Sequence, residues 1–110
     1  MEINKEMLKG YIESIILSLL IKEDLYGYEI AKRIRTISMN RFELKESTMY
    51  VVLKRLESNE LVTTYWDDSE SGGGRRRFHQ ITDKGKEYLK NKKEEWLFFR
   101  NIVDTFFMEV

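Results

Sequence analysis

One stretch of this chain does not fit a helical repeat. Between Leu61 and Thr82 lie two runs rich in threonine, valine and aromatic residues, "LVTTYWDD" and "RRRFHQIT", a composition suited to a half-buried pleated surface. They flank "SESGGG", which holds three of the chain's six glycines. Two such runs joined by a glycine tip predict an antiparallel hairpin, and the rest of the chain must be arranged around it.

The remainder reads as helix. In "MLKGYIESIILSLLI", Met7 to Ile21, apolar residues recur at Leu8, Ile12, Ile15, Ile16, Leu19 and Leu20, the spacing of a helix with a wide buried face. Gly27, close to Asp24, marks a break, after which Ile30, Ala31, Ile34 and Ile37 predict a short amphipathic second helix. Ser47 is expected to cap a third helix, with Met49, Val52, Leu53 and Leu56 as its apolar stripe and an end near Glu60. After the hairpin, Thr82 and Asp83 supply a cap and an acidic first turn for a long helix running nearly to Val110. Helix, helix, helix, hairpin, helix is the order of a winged helix-turn-helix, a mainly α (α+β) fold with a two-stranded wing. Residues 1–82 are expected to form the reading unit. Residues 83–110 are expected to form a C-terminal dimerisation helix that packs with helix one in the same compact unit.

Composition removes several chemistries. A chain of 110 residues with 42% hydrophobic and 35% charged residues has room for one core and is not the kind that stays disordered. With no cysteine there is no disulfide and no thiol nucleophile, and His79 is the single histidine, without a nucleophile motif beside it. An enzyme is not expected, nor any metal or cofactor. "DDSESGGG" lacks the alternating acidic ligands of a calcium loop, and "SGGGRRR" lacks the lysine and hydroxyl of a phosphate-binding loop. The longest apolar run, Ile15 to Ile21, is far short of the ~18 residues of a membrane span, so a cytoplasmic protein with no membrane partner is expected.

The net charge of zero gives no overall basic field, so a case for nucleic acid must rest on where the cations sit. A turn of about 100° per residue places Ser47, Val51, Lys54 and Ser58 opposite the apolar stripe of helix three, with Tyr50 and Arg55 at the flanks. Short hydroxyl residues near the helix start and cations farther along are what base edges and phosphates require. Ser47, Thr48, Tyr50, Lys54 and Arg55 fit those roles. They also fit a plainer one, in which Ser47 caps, Tyr50 packs on a neighbour and the two cations are solvated. At the wing tip, Arg75 and Arg76 are the expected DNA contacts, able to reach phosphates or a narrow minor groove. Strand alternation divides the three arginines, and Arg77 is expected to hold the strand. The cluster could instead pair with Asp67, Asp68 and Glu70.

Along the last helix, Leu89, Trp96, Phe99, Val103, Phe106 and Val110 fall on a heptad seam widened by Phe98, Ile102 and Phe107. So much apolar surface predicts association, and a dimer matches two half-sites about one helical turn, roughly 34 Å, apart.

Ser47 to Val62, with "STMY", "LKRLE" and "LV", together with "YGYEI" at Tyr26 and "ITDKGKEYL" at Ile81, resembles the PadR family of bacterial transcriptional regulators over most of Leu8 to Trp96. The resemblance implies a homodimer on a palindromic double-stranded operator, usually a repressor, often of stress-response or efflux genes. "KEYLKNKKEEW" is similar to the short PadR-like multidrug regulators. In those, a tryptophan at the place of Trp96 lines a cavity between subunits and stacks on flat apolar or cationic ligands. On that resemblance Met7, Leu8, Tyr11 and Ile15 of helix one would complete the site. Two alternatives stand beside it: Trp96 as ordinary interface core within the bulk of "WLFF", and a winged helix serving protein or RNA contacts without an operator.

Overall fold

The structure, a computed structural model, describes residues 1, 3, 5–68 and 74–110. Helix one begins later than its apolar pattern. Lys5–Leu8 form a 3-10 turn, Gly10 takes a left-handed φ of 88°, and α1 proper spans Ile12–Leu20. Only glycine adopts that φ without steric cost, so Gly10 divides what periodicity alone joins. Next come β1 (Leu25–Tyr26), α2 (Gly27–Ile37), α3 (Glu46–Ser58), β2 (Val62–Asp67), β3 (Arg76–Ile81) and α4 (Asp83–Phe107). No helix among the described residues is long and apolar enough to cross a membrane.

Ser47 is not the cap of α3. The helix starts one residue earlier, at Glu46, with Lys45 extended before it and no side chain bonded to the first turn. Glu46 instead places a carboxylate at the positive end of the helix dipole. At the other end, the N–H of Glu60 bonds the carbonyl of Glu57 at 3.0 Å and that of Leu61 bonds the carbonyl of Leu56 at 2.9 Å. Glu60 has φ 62°, which turns the chain sharply out of the helix into β2. Leu56 and Leu61 are both buried there, the apolar contact that accompanies such an ending.

The sheet has three strands in the order β1-β3-β2, all antiparallel. The hairpin is the expected wing, and β1 is an addition: two residues between two helices show no alternation to detect. The register pairs Tyr26 and Tyr65 with Phe78, and Leu25 and Thr64 with His79. One face therefore carries Tyr26, Tyr65, Phe78 and Arg76 outward. The other carries Leu25, Val62 and His79 into the core. Ile16, Leu17, Ile30, Met49, Leu53 and Leu56, from all three short helices, fill that core.

Thr82 caps α4 by accepting a hydrogen bond from the Gly85 N–H at 2.9 Å, and its own hydroxyl donates to the Glu60 carbonyl at 2.8 Å. The Thr82 N–H bonds the Leu61 carbonyl at 3.0 Å. The start of α4 is thus fastened to the end of α3. From there its 25 residues run about 37 Å past α1, and Gly85 is their one buried member.

Candidate nucleic-acid interface

The buried stripe of α3 fixes what the helix presents. With Met49, Val52, Leu53 and Leu56 in the core, Ser47, Val51, Lys54 and Ser58 are fully outward. The flanks are not equivalent. Thr48 is half-buried on the side toward α1, where Arg55 donates to Glu13 at 2.7 Å and ties the two helices. Tyr50 lies on the opposite flank, leaning over the start of α2: a Cβ on Gly27 would stand 2.7 Å from its hydroxyl. Gly27 is therefore needed for close approach and is more than a break in the pattern. Of the five candidates on this helix, Ser47, Tyr50 and Lys54 share the outer and wing-facing surface, while Thr48 and Arg55 sit on the α1 side.

On the wing, each arginine lies beside an aromatic ring, and Arg75 and Arg77 share Trp66. Arg75 stacks 5.0 Å above the Trp66 ring and Arg76 lies 5.0 Å from the Tyr26 ring, on opposite faces of the sheet. Arg77 is bound in place, donating to Glu57 at 3.0 Å and to the Thr64 hydroxyl at 3.0 Å. It therefore clamps β2 and β3 to the end of α3. Ser69 to Gly73, most of the glycine tip together with Glu70, lie outside the described residues. Trp66 escapes detection in the sequence because its role depends on the register, which sets it opposite Arg77.

Asp24 is another residue that composition does not single out. Its carboxylate accepts from the Tyr65 hydroxyl at 2.6 Å and from Gln80 at 3.3 Å, pinning the turn before β1 to the outer face of the sheet. That hydrogen bond pushes the Tyr65 phenol up to about 12, with burial and the charges of Asp24 and Asp67 acting in the same direction. On the inner face, burial holds the His79 imidazole below its ordinary 6.5, and the Arg77 charge adds to the effect.

The C-terminal helix gathers the remaining candidates. Met7, Leu8, Tyr11, Ile15 and Trp96 all line one cavity of about 330 Å³ between α1 and α4. Ser14, Ser18, Leu89, Lys92 and Lys93 complete it, none of them singled out for this role by the sequence. Tyr11 meets Trp96 edge to face at 5.7 Å, and Lys92 lies over the Tyr11 ring while pairing with Glu95 at 3.4 Å. Beyond Trp96 the seam stands open: Phe99 and Phe106 are exposed, Val103 half-buried, with Phe98, Ile102 and Phe107 exposed beside them. Leu89 differs from the other seam residues, since it packs on the chain's own core. No group of three or more metal-ligating side chains occurs among the described residues.

Residues 16–91 match the transcriptional regulator PadR-like family. An uncharacterised protein of Lysinibacillus sphaericus is 39% identical over 104 residues, 94% of each chain. A transcriptional regulator from Clostridium thermocellum superposes with a TM-score of 0.86 at 38% identity, over 94% of this chain and 97% of that one. A PadR family transcription regulator from hypervirulent Clostridium difficile superposes with a TM-score of 0.78 at 46% identity, over 88% and 98%.

Proposed function

The chain belongs to the PadR-like family of transcriptional regulators and is a DNA-binding regulator, not an enzyme; from that premise we propose that it acts as a homodimeric, ligand-responsive repressor on a palindromic operator. Lys54, Ser47 and Tyr50 of α3 enter or border the major groove, with Thr48 at the α1-side edge. Arg55, held by Glu13, fixes the helix more than it reads the duplex. Arg75 and Arg76 extend the contact from the wing to the backbone or minor groove, backed by Trp66 and Tyr26.

The observation that carries the dimer is the aromatic seam that α4 leaves open past Trp96. Two such helices packed together would cover Phe99, Val103 and Phe106 and bring the paired Trp96 cavities to one interface. At about 330 Å³ each cavity lies at the small end of the range for small-molecule sites. Its aromatic walls suit a planar apolar ligand, while Lys92 and Lys93 in the lining disfavour a cationic one.

Selection of bound duplexes from a random pool tests this reading, and a palindrome is the expected product. On that operator, changing Arg75 and Arg76 together to alanine should weaken binding by about tenfold or more, the loss of two charge-assisted contacts. Unchanged affinity in a gel shift would remove the wing from the interface.

A further inference from the structure

Between the start of α2, the wing-facing flank of α3 and strand β3 lies a notch of about 290 Å³, lined by Gly27, Tyr50, Lys54, Glu57, Arg77 and His79. Its charged groups are not all engaged. Glu57 is closed on Arg77 at 3.0 Å and accepts from Thr64 at 2.9 Å, so that pair is neutral within itself. Lys54 has no ion-pair partner among the described residues, which leaves the notch one positive charge in excess.

Other donors border the same space. The Tyr50 hydroxyl makes no hydrogen bond among the described residues. Helix α2, eleven residues long, begins at Gly27 with no side chain capping its first N–H groups. Independent of both is His79, which is only 6% exposed and whose Nδ1 has no hydrogen-bond partner among the described residues. A buried ring nitrogen without a partner is a costly arrangement, and it sets an ionisable ring in the wall of the notch.

We propose that this notch seats one phosphodiester of the DNA backbone, with Lys54 Nζ, the Tyr50 hydroxyl and the N-terminus of α2 as donors and His79 as imidazolium behind them. The proposal rests on the DNA-binding reading above and gives it a specific contact. A helix N-terminus and a lysine together are a well-suited anion site, and the notch adjoins both the reading helix and the wing. In the free chain, burial and the Arg77 charge oppose protonation of His79, while Glu57 and a backbone contact from Leu25 favour it. The ionisable groups around the ring are thus Tyr50, Lys54 and Glu57 from α3 and Arg77 from β3. Gly27, Leu25 and Thr64, from α2, β1 and β2, carry no titratable side chain, and α1 and α4 add no residue to the lining. A seated phosphate adds a second negative charge to that of Glu57, so a proton enters with it.

His79 is the only histidine, so its ring signals in a proton NMR titration of the intact chain need no assignment. The probe is the duplex recovered by operator selection, added to saturation at low salt, with millimolar inorganic phosphate as a separate arm. Duplex should raise the apparent His79 pKa by about one unit. Lys54→Ala, an exposed substitution, should abolish that rise and weaken operator binding about tenfold. It should also flatten the dependence of log affinity on log salt by about 0.9, the contribution of one phosphate. Duplex binding that leaves the His79 titration unmoved, with Lys54→Ala at full affinity and slope, overturns the phosphate seat while leaving the DNA-binding reading intact. A His79 shift with inorganic phosphate and none with duplex overturns it in favour of a free-anion site. Failure of the wild-type chain to bind any duplex overturns both.

Discussion

A methyl group at position 85 would lie 2.2 Å from the Leu61 carbonyl oxygen and 2.8 Å from a side-chain carbon of Ile81. In an open helix, replacing glycine by alanine gains roughly 1 kcal/mol. Here the obstacle is backbone and cannot swing aside, so overpacking, typically 1–3 kcal/mol, decides the sign. Gly85→Ala should therefore lower the melting temperature, and a raised one would mean that the close approach of α4 to Leu61 is not there. Tyr65 offers a second test, through pH. Its phenol is held up to about 12 from an ordinary 10.0, so the folded chain keeps a proton that the unfolded chain releases. The stability this brings is complete below pH 10 and is lost as pH rises toward 12. A spectrophotometric titration should show one tyrosine ionising late, and Tyr65→Phe should remove that late step. A phenol of ordinary pKa in the wild type would remove Asp24 as its partner.

The elements were legible in proportion to how far each one's own sequence determines it. The apolar stripes of α2 and α3, the Thr82 cap and the hairpin follow from periodicity and local hydrogen bonding, and the structure contains all of them. The beginning of α1 turned on the backbone of Gly10, and β1 exists only because β3 is beside it. The site divides in the same way. The family resemblance implies that Met7, Leu8, Tyr11 and Ile15 join Trp96 around a cavity between subunits; within the single chain they line one between α1 and α4. That Arg55 is held by Glu13, and that Trp66 lies under Arg75, needed the packing of separate elements. For α4 the element-level expectation is plain. Phe99→Glu with Phe106→Glu places charges on the exposed seam and leaves the chain's own core untouched. Sedimentation should show the wild type as a dimer and this variant as a folded monomer; a wild type that is monomeric at micromolar concentration would remove the seam from the assembly.

At the scale of the whole molecule, a formal charge of zero and a DNA-binding role are compatible because the cations are placed, not summed. Lys54, Arg75 and Arg76 lie along α3 and the wing, while the α1–α4 cavity is at the other side of the core. Coupling between the two would have to pass through the frame that joins them. If Trp96 is the ligand platform, planar apolar dyes should quench tryptophan fluorescence and lower operator affinity together. Trp96→Ala should lose both responses while still binding DNA in their absence. Quenching that persists in the variant would point to Trp66 instead.

The joint made by Thr82, Glu60, Leu61 and Gly85 gives that coupling a mechanical form. It clamps one end of a rod about 37 Å long to the last turn of the reading helix. A clamped rod works as a lever: tilting its whole length by about 5° about the far end carries the attached head through roughly 3 Å, a displacement comparable to the rise of one base pair. Fit to two fixed half-sites can then be made or lost by an adjustment at the seam too small to disturb either head.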